Sequence, residues 1–236
     1  VHMSRGLGDV YKRQTQQNKK VILAGANQEI FNSENFLPWD QKQKLKIVTH
    51  HWGANWNKGF DIYQKLDSLL NDSYWNNKIE FSYIGNLPKN FEFKNSTHIS
   101  PLSGIKLASK LKENHLYITA SKNEPSGNHH IEAAQCSLPI LFINSGGIPE
   151  YCNDYGLIFE ENNFENKLDE IYENYEIYYN KILNYPFNAR KMCSEYLTLF
   201  NELNKRKNQI LEARNIKNLK TTNQYLFRLK NLKINK

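Results

Sequence analysis

From Lys20 onward, short apolar runs alternate with amphipathic stretches. Lys46-Ile47-Val48-Thr49-His50 reads as a buried strand, followed by a polar loop through Gly53, Asn55 and Asn57. Lys58-Gly59 then opens a helix to about Leu70, with Phe60, Tyr63, Leu66, Leu69 and Leu70 at helical spacing. Ile79 to Ile84, ending at Gly85, and Thr97 to Ile99 are further strands. Gly104 to Lys112 is a helix carried by Ile105, Leu107, Ala108 and Leu111, and Leu116 to Thr119 is the next strand. Ser126 to Gln135 opens another helix, Pro139 to Ile143 is an apolar strand, and Gly146-Gly147 turns into a short helix starting near Pro149. Gly156 to Phe159 closes the sheet. Beyond it, Phe164 to Leu183 and Phe187 to Leu203 read as two long helices, parted at Pro186 because proline lacks an N–H and clashes backwards.

Strands of four to six residues alternating with helices of about ten imply βαβ crossovers. The expected fold class is therefore α/β, a Rossmann-like parallel sheet with helices on both faces, followed by C-terminal helices. Val1 to Gln14 follows no hydrophobic period and resembles translated adapter sequence. The expected division is a non-native or disordered leader over 1–19, a domain over 20–203 and a basic tail over 204–236.

Composition adds constraints. With 39% hydrophobic and 23% charged residues the chain belongs with globular proteins. No run approaches the roughly 18 apolar residues of a membrane span, and no secretory signal opens the chain, so a cytoplasmic home is expected. The formal charge of +7 is local: residues 201–236 hold ten Lys/Arg against Glu202 and Glu212, so the remainder sums to −1. The globular part thus lacks an electrostatic footprint for nucleic acid, while the tail suits a solvated appendage or a peripheral contact with the inner face of a membrane. Cys136, Cys152 and Cys193 are odd in number and lack a CxxC pair, so they are expected to be buried, reduced thiols.

The strongest chemical signal is Glu124-Pro125-Ser126-Gly127-Asn128-His129-His130-Ile131-Glu132, which follows a strand and opens a helix. Ligands of open α/β sheets bind beyond the carboxyl ends of the strands, where this turn falls. Free amides at Gly127, Asn128 and His129 would face an anion such as diphosphate, favoured by the helix dipole. Glu132 is placed to accept hydrogen bonds from ribose hydroxyls and Glu124 from sugar hydroxyls; read alone, the pair is equally well a first-turn acid and a surface glutamate. His129 is a phosphate neighbour or a satisfied surface residue. Trp52 and Trp56 either line the cleft or pack. The pairs His50-His51 and His129-His130 make a poor metal site, because adjacent side chains diverge and each pair supplies at most one ligand; no metal and no cofactor are expected.

After Glu132 come Ala133-Ala134-Gln135-Cys136-Ser137-Leu138-Pro139-Ile140 and Ser145-Gly146-Gly147-Ile148-Pro149-Glu150. This ordered series resembles the family-four retaining glycosyltransferases of the GT-B fold, with their Glu-x7-Glu, Leu-Pro and Gly-Gly-x-Pro-Glu motifs. Upstream, Gly25-Ala26-Asn27-x3-Phe31 and Lys58-Gly59 resemble the family's opening of its second domain and its Lys-Gly. The resemblance runs from about Lys20 to Phe200 and implies the C-terminal, nucleotide-sugar-binding half of such an enzyme.

It implies that Lys58 holds the donor diphosphate, that the amides of Gly127, Asn128 and His129 cradle it, that Glu132 binds the ribose, and that the backbone at Pro101 and Leu102 edges the nucleobase. Glu124 and Lys58 would be the catalytic residues. The complete enzyme would be a hexosyltransferase that retains anomeric configuration, acts without metal, and serves polysaccharide biosynthesis on a glycan or lipid-linked acceptor. The acceptor domain needs upward of about 150 residues, so the chain reads as a fragment, inactive alone. Apolar positions such as Leu197 and Phe200 would then be left uncovered. Gly53 stands where the family commonly has an arginine, which leaves His50, His51 or Asn55 to take over a bidentate contact that Lys58 cannot make. A sugar-nucleotide epimerase and a non-catalytic module binding sugar nucleotides or anionic surfaces are the alternatives.

Overall fold

The structure is a computed structural model and describes residues 20–213. The leader and the tail from 214 onward lie outside the described residues.

Six strands form one sheet: β1 (Leu45–His51), β2 (Ile79–Gly85), β3 (Thr97–Ile99), β4 (Leu116–Thr119), β5 (Ile140–Ile143) and β6 (Gly156–Phe159), in the order β3-β2-β1-β4-β5-β6. Every adjacent pair is parallel. The central strands β4 and β5 are buried along their whole length, which is why they read as unbroken apolar runs rather than alternating ones. Chain order reverses between β1 and β4, where Val48 stands beside Tyr117.

The helices are α1 (Phe60–Leu69), α2 (Ser73–Lys78), α3 (Gly104–Lys112), α4 (Asn128–Gln135), α5 (Ile148–Cys152), α6 (Phe164–Glu173), α7 (Tyr175–Ile182), α8 (Ala189–Lys205) and α9 (Lys207–Ala213). A 3-10 turn at Trp56–Lys58 leads into α1 through Gly59, whose φ of 94° is left-handed. An added Cβ there would stand 2.4 Å from that of Ala120, so glycine is needed for both torsion and space. The long helix expected from Phe164 to Leu183 is two helices. Asn174 leaves helical torsions at φ −115°, and its side-chain amide donates to the Glu170 carbonyl at 2.8 Å, closing the end of α6. α2 was not expected. Its sequence is polar and buries only Trp75; Asp72 starts it by accepting the Tyr74 N–H at 2.7 Å.

Residues 20–44 add apolar anchors without regular helix. Phe31, Phe36 and Trp39 are buried, and Trp39 packs edge-on against Tyr175. Ala26 bridges to Asn188, and Gly25 approaches Asn188 so closely that a Cβ would stand 2.2 Å from its carbonyl carbon.

Contacts divide the chain into a unit ending at Cys193 and a second beginning at Ser194. In the second, Leu197 and Phe200 are exposed, as expected, and Lys207–Ala213 is helical although the sequence pattern there is weak. Cys136 and Cys152 are buried, whereas Cys193 is exposed, contrary to expectation, because it falls on a polar turn of α8 that buries no residue. Among the described residues no helix is long and apolar enough to cross a membrane.

Candidate functional site

Two hollows lie beyond the carboxyl ends of β1 and β4, at the reversal of strand order where open α/β sheets bind ligands. The first, about 280 Å³, is lined by Lys58, Glu124, Gly127, Asn128, His129 and Glu132. The second, about 350 Å³ and more apolar, is walled by Phe31, Ile84, Pro101, Leu102 and Leu107. His50, His51, Trp52 and Glu132 belong to both. Lys58, Pro101, Leu102, Glu124, Gly127, Asn128, His129 and Glu132 therefore converge on one crevice, and Glu124 and Glu132 line the same space.

The turn before α4 is shaped by close contacts. No side chain caps the helix, whose N-cap is Gly127, so its first amides face the hollow with the positive end of the helix dipole. Gly127 has an ordinary φ of −82°. Its glycine is required by space, since a Cβ would lie 2.4 Å from the His129 ring and 3.0 Å from Glu124 Cγ. Beneath, His129 Nε2 is 2.8 Å from the Thr119 hydroxyl at the end of β4.

The Gly146-Gly147 turn after β5 holds the Glu124 loop from the other side. The Gly147 N–H donates to the Glu124 carbonyl at 2.8 Å, and the Ser145 hydroxyl accepts the Asn123 N–H at 2.9 Å. Gly146, at φ 62°, passes so near that a Cβ would be 2.4 Å from the Glu124 carbonyl oxygen. The Gly-Gly motif is thus a backbone clamp on the acid-bearing turn.

Residues 84–192 match the family model described as Glycosyl transferases group 1. Over that stretch the chain resembles a group 1 glycosyltransferase domain. Solved structures agree on the fold, that of GT-B C-terminal domains. The C-terminal domain of the group 1 glycosyltransferase LpcC from Francisella tularensis superposes with a TM-score of 0.52 at 17% identity, covering 73% of this chain and 98% of that one. TarM gives 0.59 at 16% identity over 82% of this chain and 41% of its own. The pneumococcal O-GlcNAc transferase GtfA, solved in complex with UDP and GlcNAc, gives 0.60 at 12% identity over 83% and 42%. The chain spans about two fifths of the length of these last two. Comparison with curated protein sequences gives no match.

The hollow's charged side chains are each paired within the site. Lys58 Nζ contacts Glu124 Oε2 at 2.5 Å, with the two side chains 25% and 15% exposed. Glu132 Oε2 is 3.0 Å from His50 Nε2. One ammonium thus faces two carboxylates, the other lining groups being neutral or titratable imidazoles.

The histidine pairs do meet, with the His51 and His129 rings 4.6 Å apart. Yet each imidazole is committed elsewhere: His50 to Glu132, His51 to Tyr63 and His129 to Thr119. Among the described residues no group of three or more His, Cys, Asp or Glu could hold a metal ion. Burial, reinforced by the neighbouring histidines and Lys58, pushes His51 and His129 well below the usual imidazole range. Burial also drives His130 down to about 3. His129 is buried, so of the two roles expected for it the surface one falls away.

Of the three residues left to replace an arginine at position 53, Asn55 is exposed and stands apart from the hollow's lining, while His50 and His51 are in it. Space is open at Gly53, where a Cβ would meet nothing closer than Lys58 Cε at 3.4 Å. Trp52 is 73% exposed beside both hollows; Trp56 sits edge-on to Phe60 and Phe91. Sequence reasoning missed the roles of Tyr63, Thr119, Ser145 and Tyr151, which act through tertiary hydrogen bonds between elements and leave no local signature. Tyr151 OH, for example, is 2.9 Å from the Ser126 hydroxyl.

Proposed function

We propose that this domain binds a nucleoside diphosphate sugar across the two hollows and serves as the donor half of a glycosyltransferase. The observation that carries the reading is the convergence of Lys58, Glu124, Glu132 and the uncapped start of α4 on one crevice beside an apolar hollow. A planar base suits the wall of Pro101 and Leu102, a ribose diol suits Glu132, and a diphosphate suits the amides at Gly127 with Lys58. GtfA, of the same fold, holds UDP and GlcNAc.

In this reading transfer proceeds with retention to a glycan or lipid-linked acceptor, in the manner of the family-four enzymes that the motifs resemble. As the glycosyl bond to the leaving phosphate breaks, negative charge grows on the diphosphate. The α4 dipole and Lys58 oppose that charge in a partly dry site, where such stabilisation is strongest. Lys58 releases Glu124 as it turns to the phosphate, which frees the carboxylate to accept from sugar hydroxyls. Glu124 and Lys58 are the catalytic residues on this account.

Calorimetric titration of the chain with UDP, GDP and ADP tests it. Lys58→Ala and Glu132→Ala each remove charge-assisted hydrogen bonds worth about 1.5–3 kcal/mol, so affinity for the accepted nucleotide is expected to fall about ten-fold or more. Absence of binding by the wild type, or equal binding by both variants, would overturn the assignment.

A further inference from the structure

On the reading above, the hollow below Gly127 receives a diphosphate with one ammonium, already engaged by Glu124, and with Glu132 close by. Gly53 contributes no side chain. A further donor from the wall would offset the carboxylates, and one wall residue has its proton placed by its surroundings.

His51 ends β1, is 3% exposed and lines both hollows. Its Nε2 is 2.8 Å from the Tyr63 hydroxyl. That oxygen already accepts the Ala120 N–H at 3.1 Å and the Thr49 hydroxyl at 3.3 Å, which occupies both lone pairs. Its single proton is therefore directed at His51 Nε2. Burial keeps Tyr63 a phenol and His51 a neutral imidazole. A neutral imidazole that accepts at Nε2 carries its proton on Nδ1. Nδ1 makes no hydrogen bond to the described residues and, unlike Nδ1 of His50 and both ring nitrogens of His130, is not sealed within the protein. The ring stacks on Tyr63 and meets His129 edge-on beneath the Gly127 turn.

We propose that His51 donates its Nδ1–H to the diphosphate of the donor as a neutral binding residue beside Lys58, with Tyr63 as the positioning residue that sets its tautomer. The inference rests on the donor reading. It adds a specific ligand contact and explains why a buried Tyr63 hydroxyl accepts from the ends of both β1 and β4.

Imidazole nitrogen spectra of 15N-labelled wild-type protein test it first, because the tautomer is readable without ligand. His51 is expected in the Nδ1–H form, with an Nδ1 resonance that moves on addition of UDP or GDP and stays still with uridine or guanosine. His51→Phe keeps the ring stacking and removes the donor. It is expected to weaken diphosphate binding about ten-fold while leaving nucleoside binding unchanged. Tyr63→Phe is expected to give a mixture of tautomers and a smaller loss. An Nε2–H tautomer in the wild type, or His51→Phe binding the diphosphate as tightly as wild type, overturns the proposal and leaves the donor reading standing. A wild type that binds none of UDP, GDP and ADP sinks both. Should His51→Phe fail to fold in a thermal melt, the wild-type spectra decide alone.

Discussion

Replacing Gly146 with alanine tests whether the clamp on the acid-bearing turn sets the site's geometry. Two costs can be separated. Alanine at φ 62° pays about 1 kcal/mol for a left-handed torsion. Its Cβ would also stand 2.4 Å from the Glu124 carbonyl oxygen and 2.7 Å from the Glu124 nitrogen. Relief to ordinary contact moves the loop by about 1 Å and sacrifices the hydrogen bond from Gly147 to Glu124, worth about 1 kcal/mol, with further strain in the turn. The sum is about 3 kcal/mol, which lowers the melting temperature by about 6–12 °C for a domain of this size. Gly104→Ala is the control, since Gly104 has nearly the same torsion, φ 57°, with nothing within 4 Å of an added Cβ. It should lose about 1 kcal/mol. Urea denaturation of both variants, with nucleoside diphosphate titration of Gly146→Ala, reads the outcome. Equal destabilisation by the two substitutions, or wild-type affinity in Gly146→Ala, would refute the clamp.

Acid should unfold the protein early. His51, His115, His129 and His130 have folded pKa values depressed by burial, His115 to about 4 and His130 to about 3. The unfolded chain therefore binds protons that the native state refuses once pH drops below about 6.5. Stability is full above that point and falls toward pH 4 by up to about 1.4 kcal/mol per pH unit for each histidine. Denaturation midpoints that stay flat from pH 7.5 to 5 would contradict this. His130→Leu should stabilise the domain by about 1 kcal/mol or more and flatten that slope, because both ring nitrogens of His130 are buried without a partner; a lower melting temperature would count against it. Asp67→Ala should release the loop it holds, since its carboxylate accepts the amides of Lys94, Asn95 and Ser96 and the Ser96 hydroxyl. Burial alone would raise its pKa, but these donors outweigh burial and hold it below the usual carboxylate range. Hydrogen exchange at the three amides should accelerate, and unchanged protection would exclude the anchoring role.

The sheet was legible because its strands are short, carry apolar cores and are separated by glycine or polar turns; β4, β6 and α3 have the very bounds their residue patterns imply. Failures came where side-chain chemistry, not periodicity, sets the boundary. The break at Asn174 is made by one amide turning onto a carbonyl, and α2 by one aspartate cap on a polar segment. At the site, the spacing of Glu124 and Glu132 on a helix start was readable, and so was Lys58 beside Gly59. The pairings that govern their charge were not. Lys58 with Glu124 and His50 with Glu132 span 66 and 82 residues, and only the parallel stacking of β1 beside β4 brings them together. The glycines were recognisable as a motif, but their service as a backbone clamp appears only when β5 is set beside β4.

That dependence on β5 orders the birth of the site in time. A nascent chain emerges from its amino end, so the Glu124 turn leaves the ribosome some twenty residues before Ser145, Gly146 and Gly147, which give it its final shape. Until they arrive, β1 and β4 can already associate while the carboxylate lacks its lasting address. On the proposed donor reading, competence therefore waits for these residues, and polypeptides halted short of residue 147 would carry the crevice-lining side chains named above without the clamp that shapes the Glu124 turn.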